Sequence, residues 1–199
     1  MIRSKDEFLR RFNLGQPSPT RFQHGLPLAP SAVLVALYEG GDGLEVVFTT
    51  RSRQLRNHSG EVCFPGGRPE ASDNNLLHTA LREFEEELGV AQHQVEVIGQ
   101  LPEMPVIRRF VIRPYIGFLS QPPAWQPCPS EVEDVFTVPL HQLIAHQQHF
   151  ALTLERFNWP RIWFIPWQQR LIWGATAGIV RSLSEQLQPE LKHLYRPLN

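Results

Sequence analysis

The spacing of apolar and polar residues changes period several times along this chain, and each change predicts an element. Residues 1–12 place Phe8, Leu9 and Phe12 on one side of a short amphipathic helix. Residues 15–31 hold Gly15, Pro17, Pro19, Gly25, Pro27 and Pro30, which predicts an extended arm. Residues 32–38 are apolar throughout and rich in branched side chains, the mark of a buried strand. Gly40-Gly41-Asp42-Gly43 predicts a hairpin turn, with 44–50 as the returning strand. Residues 51–75 are polar and glycine-containing. From residue 76 the period lengthens: Leu77, Leu81, Phe84 and Leu88 recur at helical spacing, and Gly89 offers a C-terminal cap. Further strands are expected over 95–101, over 110–118 with a bend at Pro114, and over 135–139. Pro122, Pro123, Pro127 and Pro129 mark a loop. A helical turn at 140–146, a hairpin of 152–155 with 162–165, and a last helix at 175–188 complete the order. Mixed helices and hairpins predict an α+β fold, an α/β/α sandwich, in one domain over residues 1–199.

Composition narrows the function classes. The chain has 199 residues, of which 42% are hydrophobic and 20% charged, so it can bury a core without disulfides. A formal charge of −1 gives no electrostatic case for nucleic acid or a membrane surface. Proline is high, 18 residues against about 10 at average usage of about 5%, which favours loops over long helices. Cys63 and Cys128 form no Cys-x-x-Cys pair, so zinc and redox motifs are missing and two reduced thiols are expected. The first residues are charged, with no apolar run for a signal peptide, and no stretch approaches the ~20 residues that span a bilayer. A cytoplasmic protein is expected.

The sharpest chemistry lies in Arg82-Glu83-Phe84-Glu85-Glu86-Glu87-Leu88-Gly89-Val90. On a helix Glu83, Glu86 and Glu87 stand at i, i+3 and i+4 and present three carboxylates on one face, while Phe84 and Leu88 bury the other. A hard divalent cation relieves the repulsion, and oxygen-only donors suit Mg²⁺ or Mn²⁺ rather than zinc. A solvated acidic face is the plainer alternative. Upstream, Gly66-Gly67 can bring backbone N–H groups close to an anion, or simply form a turn.

Together these residues resemble the signature box of the Nudix hydrolases. That pattern runs Gly, five residues, Glu, seven residues, Arg-Glu, an aliphatic residue, any residue, Glu-Glu, any residue, Gly. Gly67 and Arg82–Val90 match it, with Phe84 as the bulky apolar residue. Two departures occur: Asp73 stands where Glu is usual, and eight residues rather than seven separate it from Arg82. A second stretch, Val47-Phe-Thr-Thr-Arg51-Ser through Arg56, Gly60 and Phe64-Pro-Gly-Gly67, is similar to the segment upstream of the box in coenzyme A diphosphatases. Residues 131–140 and 172–177 resemble that subfamily more sparsely.

The resemblance implies a mixed central sheet with the box helix packed on it. It also implies Mg²⁺- or Mn²⁺-dependent hydrolysis of coenzyme A or a related nucleotide to 3′,5′-ADP and 4′-phosphopantetheine. It assigns Glu83, Glu86 and Glu87 to the metal, Glu86 a share in base catalysis, and Arg82 the orientation of a box glutamate. Glu131 is the base candidate from outside the helix, with Glu133 and Asp134 competing. Gly66, Gly67, Arg51 and Arg56 are expected at the substrate, the arginines as partners of the 3′-phosphate. His58 is expected to cap a loop rather than bind phosphate. Trp159, Trp163, Trp167 and Trp173 could serve core, ligand or a homodimer interface, and Arg108-Arg109 a solvated pair. Two other readings stay open: hydrolysis of another nucleotide such as NADH or ADP-ribose, and a non-catalytic nucleotide-binding module.

Overall fold

The computed structural model describes residues 2–15, 28–106, 110–154 and 159–198, with no side-chain placement for Leu154, Trp159 and Pro160. Of the arm expected over 15–31, residues 16–27 lie outside that description, as do Arg108-Arg109, Glu155 and the Trp159 indole, and its last residues, from Ala29, open the first strand instead. The first helix, α1 (Lys5–Leu14), is capped by Ser4, whose side chain accepts the Glu7 N–H, and it buries Phe8 and Phe12. Two long strands follow, β1 (Ala29–Gly40) and β2 (Gly43–Arg51), joined through Gly41-Asp42 in a tight hairpin. After them come β3 (Val62–Cys63), β4 (Gly66–Gly67) and α2 (Leu76–Leu88). The rest of the first sheet is β5 (Val95–Gln100), β6 (Met104–Val106), β7 (Phe110–Leu119) and β8 (Val132–Pro139). The short helix α3 (Leu140–Leu143) leads to β9 (Phe150–Leu154), β10 (Trp159–Trp167) and β11 (Arg170–Trp173). The chain ends in α4 (Gly174–Leu187) and β12 (Arg196–Pro197).

The central sheet is mixed. β1 runs parallel to β7 and antiparallel to β2, while β2 pairs antiparallel with β8 on its other edge. β1 and β2 separate beyond Leu37 and Val46. The gap is filled by β3 on β2 and β4 on β1, so the segment 62–67 is wedged into the sheet itself. A second sheet, in the order β11-β10-β9-β12, lies outside this one.

Strand alternation divides the core. Ala32, Leu34 and Ala36 of β1 face α2 and pack with Ala80, Phe84, Leu88, Tyr115 and Leu119. Val35 and Leu37 face the opposite side and pack with Phe8, Phe12, Ile165, Ile172 and four apolar residues of α4, Ile179, Val180, Leu183 and Leu187. The arrangement is the expected α/β/α sandwich, thickened on one side by the second sheet. Leu77 and Leu81, read from the sequence as half of the buried stripe, are only partly buried, and Ala80 takes the central place against β1.

One expectation changes. The strand over 110–118 shows no break at Pro114, and its pairing with β1 continues through Val33. The reason lies at the other edge. β6 pairs residues 110–112 of β7 and β5 pairs 115–119, so Pro114 sits between the two partners, where no ladder donor is needed. The irregularity falls in β5, between Val97 and Gly99.

Candidate active site

Helix α2 begins where the Asn75 side chain accepts the His78 N–H, and it ends on Gly89 in the left-handed region at φ 69°. Between these caps one stripe is apolar and the adjacent face carries the glutamates. Glu87 is 3% exposed, Glu83 is partly buried and Glu86 is exposed. The Gly66 N–H donates to Glu87 Oε1 at 3.2 Å. A Cβ on Gly67 would stand 2.3 Å from Glu83 Oε1, and one on Gly66 would stand 2.2 Å from the Ala32 carbonyl oxygen. Gly66 is therefore a steric requirement that lets β4 lie directly against β1, while a side chain at Gly67 would displace the Glu83 carboxylate.

Glu131 reaches the same place from the far side. Its loop is tied to the end of α2, because Gln126 and Cys128 donate N–H groups to the Leu88 and Glu87 carbonyls at 2.9 Å each. The loop then closes on itself from Glu131 and Val132 to the Cys128 carbonyl, and the Glu131 carbonyl accepts the Ser52 N–H at 2.8 Å. As a result Glu83, Glu87 and Glu131 each offer a carboxylate oxygen within 4.8 Å of the other two. Glu86 lies outside that group. Its Oε2 is 2.8 Å from Arg82 Nη1, and its side chain is 57% exposed. The structure thus brings Glu131, rather than Glu86, to Glu83 and Glu87. Glu133 and Asp134, the competitors of Glu131, instead pair with Arg53 and Arg170.

Arg82 links the helix to the loop before it. It donates to Glu83 Oε1 at 3.0 Å, to the Arg68 carbonyl at 3.2 Å and to both carboxylate oxygens of Asp73 at 3.0 Å. The Asp73 side chain is fully buried and also accepts the Thr79 hydroxyl and the Glu70 N–H, at 2.9 Å each. The Asp73 carboxylate thus still reaches Arg82 across the longer segment between them, and a turn from Glu70 closes on Asp73 itself. These bonds, led by Arg82, hold the Asp73 carboxyl well below the usual carboxylate range.

Glu87 shows the opposite behaviour. Burial, reinforced by the charges of Glu83 and Glu131, pushes it up to about 8, against the Gly66 hydrogen bond and the charge of Arg51. Burial also raises Glu83. Crowded, desolvated oxygen donors with this electrostatic deficit fit a hard divalent cation, which keeps several waters and needs only a few carboxylates. Burial pushes the Cys63 thiol up to about 11, away from the thiolate that a nucleophile needs.

The two arginines expected together are separated. Arg51 lies beside Glu87, and its Nε is buried without a hydrogen-bond partner. Arg56 is exposed on the loop that follows β2. His58 serves that loop, with Nδ1 2.9 Å from Glu61 Oε2. Trp163 packs on the core and stacks edge-on against Tyr195, Trp167 also packs on the core, and Trp173 is 40% exposed.

Comparison with known proteins agrees with this geometry. The NUDIX domain family matches residues 28–159. The chain belongs to the Nudix family. A protein of Klebsiella pneumoniae called "Uncharacterized Nudix hydrolase NudL" is 37% identical over 184 residues, covering 92% of this chain and 94% of its own. A namesake from Pectobacterium atrosepticum is 31% identical over 183 residues, with 92% and 94% covered. Among solved structures, the MutT protein of Methanosarcina mazei superposes with a TM-score of 0.53 at 16% identity, covering 85% of this chain and 99% of that one. A MutT/nudix family protein of Enterococcus faecalis gives 0.54 at 18% identity, with 95% and 71% covered. At such identities these two bear on the fold alone. As a Nudix hydrolase the chain is an enzyme that cleaves the diphosphate bond of nucleoside diphosphate derivatives, and the family works with divalent metal ions. No helix among the described residues is long and apolar enough to cross a membrane.

Proposed function

We propose that this Nudix hydrolase cleaves coenzyme A or its derivatives to 3′,5′-ADP and 4′-phosphopantetheine, using Mg²⁺ or Mn²⁺. One observation carries the reading. Residues 47–67, the stretch similar to coenzyme A diphosphatases, form a continuous unit of β2, β3 and β4 that presents Arg51, Gly66 and Gly67 to the glutamates of α2.

Glu83 and Glu87 are the first metal ligands in this account, and Glu86 is the third carboxylate of the helix, held at the rim by Arg82. The bound ion would neutralise the diphosphate and lower the pKa of an attacking water. Glu131 faces the helix from an exposed loop and accepts the proton from that water. Arg82, fixed by Asp73, holds Glu83 in its orientation. The Arg51 guanidinium, beside Glu87, is the partner of a diphosphate oxygen, and Arg56 meets the 3′-phosphate from the exposed loop.

Chromatography of the products from coenzyme A, NADH, ADP-ribose and a nucleoside triphosphate, each with Mg²⁺ or Mn²⁺, tests the substrate. Metal-dependent release of 3′,5′-ADP from coenzyme A is expected. Preferred cleavage of NADH or ADP-ribose would replace coenzyme A and keep the site. Tight nucleotide binding without turnover would favour the non-catalytic module. For the base, Glu131→Gln is expected to lower kcat by on the order of 10²-fold while Mn²⁺ affinity stays within a few-fold. A matching loss of Mn²⁺ affinity would make Glu131 a ligand instead.

A further inference from the structure

The loop that carries Glu131 runs over 120–131, between β7 and β8. At its end Gln126, Pro127, Pro129, Ser130 and Glu131 are all exposed. A segment with so little buried side chain takes its place from backbone bonds. Gln126 and Cys128 donate N–H groups to the Leu88 and Glu87 carbonyls, two of those that the end of α2 leaves without an intrahelical partner. The Glu131 N–H then returns to the Cys128 carbonyl at 3.0 Å. Glu87 thus serves the site twice. Its carboxylate joins the cluster, and its carbonyl starts a path of hydrogen bonds, through Cys128, that ends on Glu131. Trp125 adds an apolar anchor, packed against the cluster that holds Ala80, Phe84 and Leu88.

Gly89 lies at the contact between loop and helix. Its left-handed φ of 69° closes α2. A Cβ there would also stand 2.7 Å from the Gln126 Cβ and 3.2 Å from the Gln126 carbonyl oxygen. Carbon atoms pack at about 3.5–4.0 Å, so the first separation forces a movement. The Gln126 Cβ is fixed to its backbone, and no rotamer takes it away. The loop itself would have to shift. The two demands on Gly89 are separable. Asparagine also adopts the left-handed region and serves as a helix cap. Only glycine lacks the Cβ that the docked loop leaves no room for.

We propose that Gly89 is a positioning residue for the reaction: by lacking a side chain it lets the Glu131 loop seat on the last turn of α2, and so sets where Glu131 stands against Glu83 and Glu87. The inference rests on the reading of Glu131 as the base. The carboxylate oxygens of the three residues lie within 4.8 Å of one another, so a small shift of the loop is large on the scale of the site. A misplacement of about 1 Å in a reacting group costs on the order of 10²-fold in rate.

Gly89→Asn tests it, because this variant keeps the cap and adds the Cβ. Its kcat should fall about tenfold or more, with Mn²⁺ affinity within a few-fold of the parent. In a Glu131→Gln background the same change should alter kcat by less than about twofold, since a base already removed has no position to lose. Adding Gln126→Gly, which removes the opposing Cβ, should bring Gly89→Asn back to within about threefold of the Gln126→Gly protein. Trp125→Ala loosens the loop by a second route and should lower kcat in the parent but not in the Glu131→Gln background. Equal kcat losses from Gly89→Asn in both backgrounds overturn the inference, as does a loss that Gln126→Gly leaves unrepaired. A fall in Mn²⁺ affinity in step with kcat also overturns it and puts the damage at the helix glutamates. The two possible failures are distinguishable. If Glu131→Gln keeps its kcat, the base reading falls and this inference with it. If Glu131→Gln loses kcat and Gly89→Asn keeps it, the positioning role alone falls.

Discussion

Two clusters of buried polar groups sit on opposite sides of the central sheet, and they are built on opposite plans. Behind the sheet, Arg181 of α4 is 2% exposed and fully engaged. It donates to Glu185 and to the Leu194 carbonyl at 2.9 Å each, donates to the Lys192 carbonyl, and lies over the Trp163 ring. His149 Nε2 must donate to the Leu143 carbonyl at 2.8 Å, which leaves Nδ1 unprotonated toward Arg181. His146 bonds the Leu191 carbonyl and Ser184. These bonds dock the C-terminal segment, and β12 completes the docking on β9. In front of the sheet, Glu83, Glu87 and Glu131 crowd together while a neighbouring arginine keeps an unpaired Nε. A cluster that satisfies itself holds the fold. A cluster that leaves charge unbalanced is a place for a ligand, and the protein carries its cost in the free state.

Breaking the first cluster should give the larger loss of stability. Arg181→Ala strips the Lys192 and Leu194 carbonyls of this donor and is expected to cost about 3–5 kcal/mol, read by urea unfolding. Core packing on the α2 side should respond on a similar scale: Phe84→Ala removes a fully buried ring, for about 3–5 kcal/mol. The second cluster should answer in activity instead. Glu87→Gln keeps an acceptor for the Gly66 N–H, so it should lower kcat by on the order of 10²–10³-fold in a folded protein. Asp73→Asn acts one step back, through Arg82 and Glu83, and is expected to lower activity about 10–100-fold, with Mn²⁺ affinity reduced alongside it.

pH should separate the clusters by sign. Burial pushes His149 down to about 4 and lowers His146. The unfolded chain then binds more protons than the folded one below about 6.5, so this cluster's contribution is lost as pH falls from about 6.5 toward 4. Glu87, raised to about 8, works in reverse: the folded chain holds the extra proton, and stability falls as pH rises from the unfolded carboxyl range toward 8. Urea midpoints of the parent and Glu87→Gln across pH 4–8 should converge on the acid side and part on the alkaline side. Parallel curves would mean that Glu87 carries no such strain.

The sequence made the front of the molecule legible and left most of the back unread. The hairpin at Gly40–Gly43, the limits of α2 and its Gly89 cap all follow from period and local residue chemistry. The glutamate face was readable because helical spacing alone decides it. Three features were not readable. The strands β3, β4 and β6 are too short to show a period, and they exist because β1, β2 and β7 leave edges to be filled. The place of Glu131 depends on Gln126 and Cys128 bonding to helix carbonyls, a contact between backbones that no side chain announces. Arg181 likewise reads backbone oxygens of the C-terminal segment, which carry no residue identity. Asp73 lay between these cases. Its spacing from Arg82 departs from the family pattern, yet its carboxylate still meets Arg82 through both oxygens.

The central claim is that the glutamate cluster stores repulsion that a divalent cation relieves. Melting temperatures of the parent and Glu87→Gln at pH 8, each with and without Mn²⁺, test it most directly. Mn²⁺ is expected to raise the parent's melting temperature. The variant, without metal, should melt at or above the metal-free parent and gain nothing from Mn²⁺. A variant that melts well below the metal-free parent and still gains the full Mn²⁺ shift would contradict it.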